Sequence, residues 1–173
     1  MLFYFVIIKM ELLIKRLINK VKEIANDITI PIIYQFLDWF NLVLYLHFEK
    51  KTPNIVFKQW DVYEIDLWQN IWSELNKKRP CIVFSNESFN KWNTVIILPL
   101  KGMRETTKIW IITISIDFLK SWLKKPTYCS CFNIREVSKK RIWQYIGTIT
   151  KEDRKIINNS LSIIFWLKKQ ATP

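Results

Sequence analysis

A chain of 173 residues is long enough for one ordinary domain with an extension, and with half its residues apolar and 24% charged it is not a disordered polymer. Its net charge of +12 is unevenly placed: residues 1–57 hold 7 basic and 5 acidic side chains, residues 58–173 hold 20 and 10. So basic a C-terminal part points to a polyanionic partner, nucleic acid first, ahead of an anionic membrane or an acidic protein. Three cysteines (Cys81, Cys129, Cys131) and a single histidine (His47) make a poor zinc set and fit reduced thiols in a cytosolic protein.

Residues 1–8 are entirely apolar but too short to span a bilayer, and they lack the positive start and cleavage site of a signal peptide. They suit a membrane-touching segment, the buried start of a helix, or a misassigned gene start; the last is preferred, with Met10 as the true first residue. From residue 10 to 27, Leu12, Leu13, Leu17, Val21 and Ile24 recur at helical spacing among Lys and Arg, predicting an amphipathic helix. Pro31 suits the first turn of a second helix, predicted to run to about Lys50 before Thr52-Pro53-Asn54 breaks it. Because its polar faces carry both charge signs, this helical pair is expected to serve packing or partner contact rather than a membrane.

At Asp61 the period changes to that of strands. Val62–Leu67, Cys81–Phe84, Thr94–Leu98, Ile109–Ile116 and Thr127–Ile134 read as strands, and Tyr145–Thr148 as a sixth. Thr150 is a good N-cap for a final helix, with Asp153 at the capping-box position and Ile156, Ile157, Leu161 and Ile164 as its apolar stripe. Five or six short strands closed by one helix predict a compact barrel.

The order of pieces is informative. A strand DVYEIDL leads to a polar loop ending in SELNKKRP; then come CIVFSN, TVIILPL, the stretch NIREVSKKRI and the closing helix. Over residues 58–167 this resembles the MazF/PemK family of toxins. The resemblance implies an α+β, mainly β fold: a small SH3-like β-barrel with a C-terminal helix (58–173) and an N-terminal helical extension (1–57). It implies a cytoplasmic, homodimeric endoribonuclease of a type II toxin–antitoxin system, neutralised by a cognate antitoxin. Such a toxin cleaves single-stranded RNA by 2′-OH attack on the phosphate, with no metal or other cofactor. It also implies site residues. Arg79 matches the catalytic arginine, whose planar fork suits two phosphate oxygens. Glu74 matches the loop glutamate that orients it or accepts a proton. Lys101 stands where the family has Thr or Ser, and as an ammonium or a base it replaces the hydroxyl. Asn76, Lys77, Lys78, Asn86 and Arg135 are the expected RNA contacts. The alternative reading is a non-catalytic barrel that binds nucleic acid or a partner protein.

Nine tryptophans against two glycines do not suit a β-rich domain, whose turns call for residues with positive φ. Trp60, Trp68, Trp72, Trp92, Trp122, Trp143 and Trp166 stand where related toxins have glycine or where a turn demands it. A gene in which UGA means glycine, translated with UGA as tryptophan, would produce this pattern, and the codons test it. The alternative is an aromatic surface for base stacking.

Overall fold

A computed structural model describes residues 12, 13, 15–20, 23, 30–67, 77–110 and 112–166. The chain divides into a first unit up to Phe48 and a second from Glu49 onward.

In the first unit, residues 12, 13, 15–20 and 23 are helical, on the stretch whose periodicity called for a helix. Helix α1 (Ile30–Leu44) carries Pro31 in its first turn, where a missing N–H breaks no bond, and a wider turn of helix continues to Glu49. Tyr34, Phe36, Leu37, Phe40 and Leu44 are all exposed along it. No described helix is long and apolar enough to cross a membrane.

Among the described residues, the second unit holds a seven-stranded antiparallel sheet and one α-helix. Its strands are β1 (Asp61–Asp66), β2 (Lys78–Val83), β3 (Thr94–Gly102), β4 (Thr113–Ile116), β5 (Thr127–Ser130), β6 (Arg135–Ser138) and β7 (Ile142–Thr148). The order runs β4-β5-β3-β2-β1-β7, with β6 also on β3. Nine-residue β3 is the hinge of this arrangement. Its first half (Thr94–Ile97) pairs with β6, its last three residues (Leu100–Gly102) pair with β5, and its middle pairs with β2. One strand thereby serves two halves of a bent sheet, whose faces bury two cores. One core centres on Val62, Ile82, Leu98, Leu100, Ile114, Cys129 and Ile157; the other on Phe57, Ile65, Cys81, Val83, Ile97 and Val137.

Two expected strands are revised. The Ile109–Ile116 strand is confined to Thr113–Ile116, because Trp110 and Thr113 exchange backbone bonds (2.9 and 3.3 Å) and close a tight turn. The Thr127–Ile134 run is interrupted by a 3-10 turn at Cys131–Asn133, braced by a Cys131 N–H bond to the Ile112 carbonyl (2.9 Å) and an Asn133 side-chain bond to Ser130 (2.8 Å). That break lets one continuous segment serve the same edge of β3 twice, as β5 and then β6.

The loop between β2 and β3 is wide, spanning residues 84–93. Asn90, fully buried, donates to the carbonyls of Phe57 (2.7 Å) and Ser85 (2.9 Å) and accepts from the Ser85 hydroxyl. The Ser85 oxygen in turn accepts from Ile96 N–H (3.0 Å). Both polar atoms of that side chain are used, which is the condition for burying it. Trp92 in this loop is not among the residues of positive φ.

Helix α2 (Lys151–Ile164) begins as the sequence requires: Thr150 accepts from Asp153 N–H at 3.1 Å. Asp153 does not reach back to close a capping box; its carboxylate accepts from Asp117 N–H (3.2 Å) and ties the helix start to the end of β4. Ile157 and Leu161 are buried and Ile164 packs partly against them, whereas Ile156 of the expected stripe faces solvent.

Four non-glycine residues in the described chain have positive φ, and three are tryptophans: Trp60 (73°), Trp122 (60°) and Trp166 (54°), besides Lys77 (63°). Neither glycine does. Trp92 and Trp143 do not need the left-handed region, and Trp68 and Trp72 lie outside the described residues.

Candidate functional site

The site grows from strand register. In β2 and β3, Cys81 faces Pro99 and Val83 faces Ile97; continuing that register past the first pair sets Arg79 opposite Lys101. Directly opposed residues of an antiparallel pair point to the same face, with Cβ atoms roughly 4.5–5.5 Å apart. Lys101 is itself the registered partner of Tyr128 on β5, and Tyr128 of Ser115 on β4. Lys101, Tyr128 and Ser115 thus form a registered polar row across three strands, and Arg79 shares their face one strand over, beyond the last registered pair of β2 and β3. The neighbouring row, Leu100, Cys129 and Ile114, points the other way into the core.

Two cations facing each other across a strand pair oppose folding. The effect is visible on Lys101, where burial and then the Arg79 guanidinium push the ammonium below the usual lysine value. Lys101 also borders a cavity of about 440 Å³ that opens on the other side of the strands, lined by Pro80, Leu100, Gly102, Lys124, Lys125 and Tyr145 among others, and neither Arg79 nor Tyr128 lines it. Lys125 lies over Gly102: a Cβ at that glycine would sit 3.0 Å from the lysine Cε.

Arg135 opens β6 opposite Ile97, so it shares the face of Arg79. Both guanidiniums act on the Cys81 thiol, yet complete burial dominates and pushes that thiol far up, making it inert as a nucleophile. Arg135 and Arg141 line a smaller cavity of about 360 Å³. Lys78, at the start of β2, is exposed, and its Nζ lies 3.8 Å from the Trp143 ring centroid, with Lys50 Nζ at the same distance. Burial, followed by Lys78, lowers Lys50 against the pull of Asp66. Lys77 is exposed just before β2 in the left-handed conformation, its carbonyl accepting from Leu67 N–H (3.1 Å).

The structure therefore brings Arg79, Lys101 and Arg135 onto one face and sets Lys77 and Lys78 at the adjoining strand start. Asn86 stands apart, beyond the far end of β2 and roughly 20 Å along the strand direction from Arg79. There its Oδ1 accepts from Ser88 N–H (2.8 Å) and it lines a different, more apolar cavity. Glu74 and Asn76 lie outside the described residues. Sequence reasoning missed Tyr128, Ser115, Lys124 and Lys125. The alternation Thr127-Tyr128-Cys129-Ser130 placed Tyr128 on a polar face, but only pairing reveals Lys101 beside it. Among the described residues no cluster of His, Cys, Asp and Glu is placed to hold a metal ion.

The fold has counterparts among known proteins. Solved structures with the same fold include an endoribonuclease from a mycobacterial species (20% identity, TM-score 0.54, covering 67% of this chain and 97% of the other). A mycobacterial endoribonuclease in complex with its cognate antitoxin is similar at 20% identity and TM-score 0.55, covering 66% and 99%. So is MazF from Deinococcus radiodurans, at 11% identity and TM-score 0.55, covering 65% and 98%. The sequence profile of the family described as PemK-like, MazF-like toxin of type II toxin–antitoxin system matches residues 58–165, more than half of the chain. With strands, closing helix and basic face all inside that span, the chain belongs to the PemK-like, MazF-like toxins of type II toxin–antitoxin systems.

Proposed function

We propose that the second unit is a toxin endoribonuclease that cleaves single-stranded RNA at the Arg79–Lys101 pair, with the 2′-oxygen as nucleophile and no metal ion. The closeness of Arg79 and Lys101 on one face carries this reading: the guanidinium is near enough to lower the ammonium, and two such groups suit the oxygens of one phosphodiester. Arg79 holds two non-bridging oxygens and stabilises the charge that builds on the phosphorane. Lys101, with its proton affinity lowered by burial and by Arg79, takes the proton from the 2′-OH. Lys77, Lys78, Lys124, Lys125 and Arg135 hold flanking phosphates, with Asn76 and Asn86 as further RNA contacts. Glu74 orients Arg79.

The same reading makes the protein a homodimer in the cytoplasm, held inactive by a cognate antitoxin that covers the basic face. The structure of a mycobacterial endoribonuclease with its antitoxin supports such a partner. The residue 1–57 extension serves partner contact.

The test is cleavage of single-stranded RNA in chelator-containing buffer by the parent protein and by Arg79→Ala. Cleavage that falls at least about 100-fold in the variant is expected from the loss of one transition-state donor. Undiminished cleavage would remove Arg79 from the site. A parent that binds RNA but leaves it intact would make the barrel a binding module instead.

A further inference from the structure

We propose that Tyr128 is the general acid of this site, protonating the 5′-oxygen as it leaves. The inference rests on the ribonuclease reading above and adds to it the group that completes the proton balance.

Tyr128 is the registered partner of Lys101 on β5, so its side chain shares the face of Lys101 and Arg79. Three adjacent strands thus present guanidinium, ammonium and phenol side by side. Neighbouring strands are about 4.8 Å apart, which sets Arg79 and Tyr128 at roughly 10 Å between their Cα atoms. Two long side chains converging from that separation meet at a single phosphodiester bound over Lys101. The phenol is half-buried rather than fully solvated, and its backbone is fixed by strand pairing on both sides, to β3 and to β4. No other hydroxyl in the row lies beside Lys101, because Ser115 is one strand farther out.

The chemistry balances within these residues. The 2′-oxygen bonds to phosphorus as its proton passes to the Lys101 amine, and the bond from phosphorus to the 5′-oxygen breaks. Tyr128 gives its phenolic proton to that departing oxygen, leaving a 2′,3′-cyclic phosphate, a 5′-OH, a phenolate and an ammonium. The ammonium of Lys101 is then next to the phenolate and returns the proton, resetting both groups. Lysine and tyrosine serve here as one acid–base pair, in which each regenerates the other.

The test uses a short RNA spanning the bond that the parent cleaves, made once with the natural bridging 5′-oxygen and once with sulfur in its place. A thiolate leaves without protonation, so the sulfur substrate does not need an acid. Under single turnover, Tyr128→Phe is expected to slow cleavage of the oxygen substrate by about 10²–10⁴-fold, and of the sulfur substrate by less than about threefold. Equal slowing of both substrates would make Tyr128 a structural or binding residue and overturn the proposal. No slowing of either would also overturn it. A parent that cleaves neither RNA would instead defeat the ribonuclease reading beneath it, and that result is read before any variant is compared.

Discussion

Trp122 offers the sharpest test of how backbone conformation and residue identity conflict in this chain. Leu123 N–H bonds to the Phe118 carbonyl at 2.8 Å and Trp122 N–H to the Leu119 carbonyl at 3.3 Å, the paired bonds of a Schellman turn. Trp122 occupies its left-handed position, φ 60°, where glycine is usual. A side chain with a Cβ pays about 1–2 kcal/mol there. Replacing it by glycine recovers that strain but adds unfolded-state entropy of about 0.5–1 kcal/mol. The indole is 77% exposed, so little burial is lost with it. Trp122→Gly should therefore stabilise the protein by about 0.5–1 kcal/mol, raising Tm by roughly 2–5 °C in a domain of this size. Trp122→Ala, which removes the indole and keeps the Cβ, is the control and should gain nothing. Trp92→Gly, at an equally exposed position (73%) with ordinary φ, should lose stability. Thermal denaturation of the four proteins decides the matter: a Trp122→Gly variant melting at or below Trp122→Ala refutes the strain argument. Trp60 is a poorer test because it is only 8% exposed and packs edge-on against Phe84 at 5.4 Å, so glycine there would open a cavity. If these tryptophans arise from misread glycine codons, the gene carries UGA at positions 60, 122 and 166; UGG at all three would end that explanation while leaving the strain intact.

Four other outcomes are expected. Gly147→Ala should destabilise by about 1–3 kcal/mol, the usual cost of overpacking, because its Cβ would sit 2.6 Å from the Ser121 carbonyl oxygen in the same turn; denaturant unfolding measures it. Thr150→Ala should cost about 1 kcal/mol through loss of the α2 cap, measured the same way. The Tyr63 phenol is raised to about 12 by burial, then by Asp61 and Tyr145. Its neutral form is favoured by folding, so that contribution is intact below pH 10 and lost as pH rises toward 12. Alkaline absorbance titration should show a late phenol that vanishes in Tyr63→Phe. Finally, if Lys101 is the base, single-turnover cleavage should climb with pH up to its lowered pKa, since only the neutral amine accepts a proton. Lys101→Arg should remove that limb of the profile, and an unchanged limb would assign the base elsewhere.

Much of the fold was legible because its causes are local. Thr150, Asp153 and the buried pair Ile157 and Leu161 announce α2, and the alternation in Asp61–Asp66 announces β1. The breaks were not legible. Thr127–Ile134 has uniform strand character, and only the need to serve two stretches of β3 interrupts it at Cys131. Trp110 carries no turn residue beside it, yet its bonds to Thr113 end the strand. Arg79 and Lys101 were each singled out by the family resemblance, Arg79 before Pro80 and Lys101 after Pro99-Leu100. Their confrontation was not, because residue type says nothing about which strand lies opposite.

Sequence alone determined the mainly β character, the closing helix, the basic charge of residues 58–173 and the family to which they belong. It also marked tryptophans as misplaced, since turn chemistry depends on a residue and its immediate neighbours. Tertiary structure alone decided which of those tryptophans meet positive φ and which do not. It also set Arg79, Lys101 and Tyr128 on one face, because a register that joins residues up to 49 positions apart is set by core packing across strands and leaves no local mark.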